Sequence, residues 1–255
     1  MKPSISVLIF AVSIIGMTAC STTSQPGRHT ALGQENLNGS GFLNDVYPLM
    51  KDGKDGEALR LYRNPKYSSP ESFTRFTKVQ LDPVKLYVGP RSKLKDIPQD
   101  QAQAIAQSFY NQLYEQFGKD YQMVQTSGPD TLRISIAIVD AEASNTLLKA
   151  ASYVPLGFPG AKAVAIQATT QMTGQPLSTG QVTIEGKMYN SQTGEIVAAA
   201  IDRRTGSRRP IIGLFEEDTY DEWSDVTAAG KFWAEKMRYR LCIRRSATNC
   251  INAAD

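Results

Sequence analysis

An alternating pattern of side chains in residues 132–139 constrains the fold of this chain more than any other feature. Apolar residues occupy one side of the pattern and mixed residues the other; they are Leu132, Ile134, Ile136 and Ile138, and then Arg133, Ser135, Ala137 and Val139. Because successive side chains of a strand point to opposite faces, the pattern predicts a strand with one buried face. We expect a helix to cover that face.

A second alternating stretch, Gln181–Arg203, predicts a β-hairpin. Val182 and Ile184 alternate with polar residues in its first half, and Asn190–Glu195 has the composition of a turn. The second half contains the small residues Ala198–Ala200. Small side chains here predict a central strand that a helix approaches closely.

Two stretches have the apolar spacing of amphipathic helices. The first, Pro98–Phe117, carries an apolar stripe of Ala102, Ile105, Phe109, Leu113 and Phe117. The second follows a capping-box spacing at Thr219–Glu222, and its stripe is Trp223, Val226, Gly230, Trp233, Met237 and Leu241. We expect Trp233 to be an anchor of the hydrophobic core.

The remaining patterns complete a prediction of one α/β domain over residues 41–245. Shorter strands are predicted at Leu59–Tyr62, Phe73–Leu81, Val84–Val88 and Tyr121–Val124, and Phe42–Met50 has helical spacing. Together they predict a mixed, mostly antiparallel sheet of five or six strands, with helices packed mainly on one face. Residues 143–173 are apolar but small-sided, which leaves two interpretations: short helices covering the sheet, or a surface that contacts a membrane or a partner.

The N-terminal segment has the architecture of a secretory signal peptide. Lys2 provides a positive charge, Ile5–Ile15 is almost continuously apolar, and Met17–Cys20 resembles a bacterial lipobox. We therefore expect residues 1–19 to be cleaved and Cys20 to be lipidated. Plain secretion and an uncleaved anchor are the alternatives, but the apolar run is shorter than the ~20 residues that a bilayer requires.

Three further expectations follow from this processing. An Asp after the lipidated cysteine is the usual inner-membrane retention signal, whereas residue 21 is Ser, so we expect an outer-membrane protein that faces the periplasm. Residues 20–40 are predicted to form a flexible tether that lets the body stand off the membrane. His29, the single histidine of the chain, lies in that tether, where nothing would fix its geometry for catalysis.

The other two cysteines, Cys242 and Cys250, form an even set in an oxidising compartment. We expect them to be disulfide-bonded, with free thiols on a frayed tail as the alternative. The predicted C-terminal tail covers residues 246–255.

Composition and motif spacing exclude several classes of function. The chain has 28 Lys and Arg against 25 Asp and Glu, which is too near neutrality to favour nucleic acid. No spacing typical of a nucleophile–histidine pair, a metal site or a phosphate-binding loop is present, so no catalytic residue, metal or cofactor is expected.

Two groups of acidic residues are the remaining candidates for chemistry: Asp140 with Glu142, and Glu216, Glu217, Asp218, Asp221 and Glu222. Paired carboxylates could cleave envelope glycans, but acids before a helix are also stabilised by its dipole.

Four arginines after the predicted hairpin form the sharpest charge cluster, Arg203, Arg204, Arg208 and Arg209. Arginine matches carboxylate and phosphate groups, so the loop is a candidate site for an anionic ligand such as peptidoglycan stems, lipid phosphate or an acidic partner. A solvated loop whose apolar residues fold back on the core is the alternative.

The order and spacing of several motifs resemble the DUF3313 family of bacterial lipoproteins of unknown function. The motifs are Gly41–Leu43, Leu81–Val84, Leu132–Ala141, Val182–Glu185, Ser191–Glu195 and the tryptophan-bearing last helix. Family members often have Asp-Ser at the hairpin turn, where this chain has Asn190-Ser191. The resemblance implies a lipoprotein with one α/β body and supplies no catalytic residues. We therefore expect a non-catalytic protein that binds or scaffolds an envelope component, protein or peptidoglycan; a glycan-cleaving enzyme is the alternative.

Overall fold

A computed structural model describes residues 23–28, 30, 40–90, 92–144, 179–206 and 222–254. Within these ranges the chain forms one mixed sheet and three α-helices. The strands are β1 (Thr23–Ser24), β2 (Lys51–Asp52), β3 (Arg60–Arg63), β4 (Lys78–Leu81), β5 (Lys85–Leu86), β6 (Gln122–Met123), β7 (Thr131–Glu142), β8 (Gln181–Asn190) and β9 (Ile196–Gly206). The helices are α1 (Glu71–Thr74), α2 (Gln99–Gly118) and α3 (Ser224–Arg244).

The sheet has the strand order β2-β3-β9-β8-β7-β4-β6, with β1 pairing to β9 and β5 pairing to β7. Strands β7, β8 and β9 form its antiparallel centre, whereas β4, β5 and β6 join in parallel. The predicted class, an α/β domain with a mixed, mostly antiparallel sheet, is confirmed. The described residues contain nine strands rather than five or six, because four of the strands are only two residues long.

Both faces of the sheet are covered by apolar residues. One face shares a single core with α2 and α3, and includes Ile134, Ile184, Phe109 and Trp233. The other face is covered by the segment before β2, whose buried residues Leu43, Val46 and Met50 pack against Ala199 and Ile201 of β9. A β-bulge in β9 places Ala199 and Ile201 on this second face.

Two local predictions differ from the structure. Residues 71–74 form α1, so the strand predicted over Phe73–Leu81 is confined to Lys78–Leu81. The aromatic rings of Phe73 and Phe76 pack with that of Tyr67 instead of alternating across a strand. In the segment Phe42–Met50, turns lead into a short 3-10 helix at Tyr47–Leu49.

Both long helices lie close to the predicted positions. Helix α2 buries its predicted stripe, including Phe109 and Phe117. Helix α3 begins at Ser224 and buries Trp233, whereas Thr219–Asp221 lie outside the described residues. Residues 145–173 of the apolar stretch also lie outside them. Among the described residues, no helix is both long and apolar enough to cross a membrane.

Residues 23–28 of the predicted tether belong to the folded body. Thr23 and Ser24 pair with Gly206 and Thr205 at the end of β9. The Gln25 amide donates to the backbone carbonyl of Glu57, and the Arg28 guanidinium donates to the carbonyl of Leu59. The tether prediction is therefore wrong for Thr23–Arg28, because pairing with a distant strand leaves no signal in the local composition.

The C-terminal residues are also held against the body. Cys242, near the end of α3, is disulfide-bonded to Cys250. Ala254, in the predicted tail, is 4% exposed. The bond closes a short loop that returns the chain to the side of α3.

Candidate ligand-binding site

The structure places the first half of the predicted arginine cluster inside the protein. Strand β9 continues to Gly206, so Arg203 and Arg204 are strand residues with exposures of 1% and 6%. The prediction of an exposed loop is wrong for these two residues, because β8 and β9 stay paired beyond the predicted end of the hairpin. Arg208 and Arg209 lie outside the described residues.

The side chains of the two buried arginines lie on opposite faces of the sheet. The Arg203 Nε atom donates to the Thr183 hydroxyl at 2.6 Å, and its guanidinium lies 4.0 Å from the Asp140 carboxylate. Arg204 donates to the hydroxyl and the carbonyl oxygen of Thr23, and its guanidinium lies over the ring of Phe232. Arg204 therefore fixes β1 to β9.

The described acidic candidates are engaged by neighbouring residues. The Asp140 carboxylate accepts a hydrogen bond from the Lys93 backbone amide at 2.8 Å, and burial raises the pKa of this carboxyl. Glu142 accepts from the Gln181 amide and forms an ion pair with the Lys93 ammonium. Glu222, described at the start of the last helix, accepts from the Trp223 indole. Glu216, Glu217, Asp218 and Asp221 lie outside the described residues, and within the described ranges no three His, Cys, Asp or Glu side chains are grouped to hold a metal.

A cleft of about 720 Å³ lies between α3 and the sheet. The described residues that line it come mainly from β3, β8, β9 and α3, and most of them are apolar. Those that form its floor and wall include Leu61, Ile136, Ala198, Ala200, Met188 and Met237.

Small side chains in the two central strands create this space. Ala200 pairs with Gly186 of β8, so these two neighbouring positions place little side-chain volume above the sheet. The sequence predicts that a helix approaches these alanines closely. In the structure Ala198 and Ala200 remain partly exposed and line the cleft.

A buried carboxylate, Asp202, is part of the cleft lining. Asp202 accepts hydrogen bonds from the Trp233 indole at 2.7 Å, from the Gln25 amide at 2.5 Å and from the Leu59 amide at 3.3 Å. Burial raises the pKa of the Asp202 carboxyl. Three separate segments therefore meet at one side chain, which holds α3 and the N-terminal segment at a fixed distance from β9.

The cleft is also lined by cationic side chains, of which Arg63 and Arg240 are exposed. Arg63 forms an ion pair with Glu57 at 2.6 Å, and the Arg240 guanidinium donates to the carbonyl of Gly56. Arg244 lies 5.6 Å from the centre of the Phe73 ring. Burial lowers the pKa of Arg244, and the nearby charges of Arg63 and Arg240 lower it further.

The other face of the sheet holds a second buried acid that the sequence analysis missed. Glu185 is fully buried and accepts hydrogen bonds from the hydroxyls of Tyr47 and Ser40. Burial raises the pKa of the Glu185 carboxyl. Its place in the alternation of β8 indicated its face, but its partners come from a segment about 140 residues earlier.

The fold and the cleft define a class of protein: a single-sheet α/β domain with an apolar cleft beside its C-terminal helix. The chain belongs to the family DUF3313, described as a protein of unknown function, whose model matches residues 38–237. The family resemblance seen in the sequence motifs is therefore confirmed. No curated protein sequence matches the chain significantly.

Solved structures with some similarity include a PelC dodecamer from Paraburkholderia phytofirmans, with a TM-score of 0.30 and 13% identity. That match covers 62% of this chain and 88% of the PelC chain. A Helicobacter pylori protein described as a homolog of neuraminyllactose-binding hemagglutinin has a TM-score of 0.33 and 10% identity, and the match covers 68% of this chain and 84% of that one. At these TM-scores neither match carries an argument about function.

Proposed function

We propose that this protein is a lipid-anchored, periplasm-facing protein of the outer membrane that binds an apolar component of the cell envelope without transforming it. The proposal that the protein binds a ligand rests on the cleft beside α3. Small-molecule sites typically enclose ~300–1,000 Å³ and have mainly apolar linings with a few polar groups. The cleft, at about 720 Å³, falls within this range and has this kind of lining.

The cleft is suited to binding rather than to acid–base chemistry. Its enclosed carboxylate, Asp202, accepts three hydrogen bonds from the protein itself. The pair Asp140 and Glu142 interacts with Lys93, and neither residue lines the cleft. A glycan-cleaving enzyme that uses these carboxylates is therefore the weaker candidate, and no feature of the described residues favours it.

Lipidation of Cys20 would hold the body close to the membrane surface. Only Ser21 and Thr22 separate Cys20 from β1, which is paired to β9. Three residue steps span at most roughly 11 Å in an extended chain. The anchor proposal consequently predicts a closely held body, in place of the stand-off that a tether through Ser40 would give.

Native mass spectrometry of the full chain, purified from its own membranes, tests the binding proposal. We expect an apolar envelope component to remain bound to the wild type and to be absent from Ala200→Phe, because the added ring fills the cleft. The matched control is Ala104→Phe, which places the same ring on an exposed position of α2. Equal occupancy in Ala200→Phe and in the control would contradict the proposal.

Metabolic labelling with radioactive palmitate tests the anchor. We expect the wild type and Cys250→Ser to be labelled and to fractionate with the outer membrane, and Cys20→Ser to be unlabelled. A labelled Cys20→Ser protein, or an unlabelled wild type released by osmotic shock, would contradict the proposed lipid anchor. Neither result bears on ligand binding in the cleft, which native mass spectrometry tests separately.

A further inference from the structure

The cleft combines an apolar interior with a cationic mouth. The exposed side chains of Arg63 and Arg240 define its mouth, where Glu57 pairs with Arg63. The described lining also includes the cations Arg204, Lys236 and Arg244 and a second carboxylate, Asp202. Positive charges therefore outnumber negative ones in the described lining of the cleft. Gly186, Ala198 and Ala200 form an uncharged part of the lining, whereas Asp202 and Arg204, further along β9, are charged.

Arg63 and Arg240 contact adjacent residues: Arg63 pairs with the Glu57 carboxylate at 2.6 Å, and Arg240 donates to the Gly56 carbonyl at 2.8 Å. Burial lowers the pKa of Arg244, the charges of Arg63 and Arg240 lower it further, and the Glu57 carboxylate opposes them. Bringing like charges together is unfavourable unless an anion lies among them. Glu57 supplies one such anion, and it interacts directly with Arg63.

Guanidinium groups match the oxygens of phosphate and carboxylate groups in geometry as well as in charge. Arg63 and Arg240 are both exposed, so both can reach a headgroup at the mouth. An apolar chain attached to that headgroup would lie over Ala200 and beside Met237.

We propose that the ligand of this cleft is an anionic amphiphile, with its acyl chain in the apolar interior and its phosphate or carboxylate headgroup at Arg63, Arg240 and Arg244. This inference rests on the proposed binding function and adds the chemical class of the ligand. A phospholipid and a free fatty acid both have this chemistry, and the experiment separates them.

Photo-crosslinking of the full chain in phosphatidylcholine nanodiscs tests the inference. Three probes carry a diazirine in an acyl chain: phosphatidylglycerol, palmitate and, as the zwitterionic comparison, phosphatidylcholine. We expect at least one anionic probe to label peptides containing Ala198–Ala200 or Met237–Leu241 roughly tenfold more than the zwitterionic probe, as the loss of one charged hydrogen bond would imply. The anionic probe that labels identifies the phosphate or the carboxylate source.

Variants connect the labelling to the mouth of the cleft. The double variant Arg240→Gln/Arg244→Gln should reduce anionic labelling to the level of the zwitterionic probe, and Arg240→Gln alone, at an exposed position, should reduce it in part. Arg133→Gln is the matched control, because this exposed arginine pairs with Asp82 and does not line the cleft. Ala200→Phe should abolish labelling of the cleft by every probe.

Each other outcome contradicts a defined part of the account. Two results would overturn the assignment of an anionic ligand without affecting the binding function: equal labelling by the zwitterionic and anionic probes, or labelling by an anionic probe that the arginine substitutions leave unchanged. If no probe labels the cleft peptides, the inference fails, and the absence of a bound component in native mass spectrometry would show that the binding function fails with it.

Discussion

Trp233 joins the C-terminal helix to the sheet through a buried ring and one hydrogen bond. Its side chain is 5% exposed, its ring contacts that of Phe109, and its indole donates to Asp202. The sequence predicted the buried ring from helical spacing. The hydrogen bond could not be predicted, because a strand residue 31 positions earlier supplies the acceptor.

Substitutions at this position separate the ring from the hydrogen bond. Trp233→Ala should lower the free energy of unfolding by about 3–5 kcal/mol, as for other large core truncations. Trp233→Phe keeps an aromatic ring but removes the donor to a buried acceptor, and should cost about 1–3 kcal/mol. Urea unfolding followed by circular dichroism measures both.

The control for this pair is Trp223→Phe, since the Trp223 indole donates to the exposed Glu222. We expect a smaller loss of stability for that variant than for Trp233→Phe. Equal losses would mean that the hydrogen bond to Asp202 contributes nothing measurable.

Glu185 should make the stability of the protein depend on pH. Burial raises the pKa of this carboxyl in the folded state, so near its ordinary pKa of about 4.3 the folded state binds more protons than the unfolded state. Its contribution to the free energy of unfolding is therefore largest at low pH and falls as the pH rises through the folded-state pKa.

The variant Glu185→Gln removes this titration. The difference in free energy of unfolding, wild type minus Glu185→Gln, should decrease as the pH rises from about 4 to about 7. Urea unfolding of both proteins across this range measures the difference. A difference that stays constant or increases with pH would contradict the assigned direction.

At the scale of elements, α2 and α3 are in close contact at Gly230. A Cβ atom at this position would lie 2.4 Å from the Gln112 amide oxygen and 2.9 Å from the Phe109 ring. The sequence placed Gly230 in the apolar stripe of the last helix. It could not show that the absent side chain is what lets the second helix come near.

Gly230→Ala should therefore destabilise the protein by about 1–3 kcal/mol, as overpacking of a core does, although alanine favours helices. The matched control is Gly118→Ala in α2, where the nearest atom to an added Cβ is 3.8 Å away. Thermal unfolding compares the two variants. A Gly230→Ala protein at least as stable as the Gly118→Ala control would contradict the close contact.

The elements that sequence patterns predicted well are the long ones. Strands β7 and β8 and helices α2 and α3 each carry enough residues for a period to be visible. The two-residue strands β1, β2, β5 and β6 carry no period, because they are defined by their pairing with distant segments. Strand β9 was predicted too short at its C-terminal end, where charged residues that normally indicate a loop are buried instead.

At the scale of the whole molecule, the cleft arises where α3 and the sheet are held apart. Asp202, in the lining of the cleft, accepts hydrogen bonds from α3, from Leu59 beside β3 and from the N-terminal segment. Small residues at Ala198, Ala200 and Gly186 leave the adjoining space unfilled. The small residues were visible in the sequence, and they led to the prediction that a helix packs closely against them. The sequence could not specify the distance between α3 and the sheet.

The central claim is that this space is a binding site for an apolar envelope component, and a crystal structure of the full chain purified from its own membranes tests it most directly. The account predicts extended electron density that is not protein, lying between Ala200 and Met237. A cleft that contains only ordered water, or one filled by the protein's own residues, would contradict the claim.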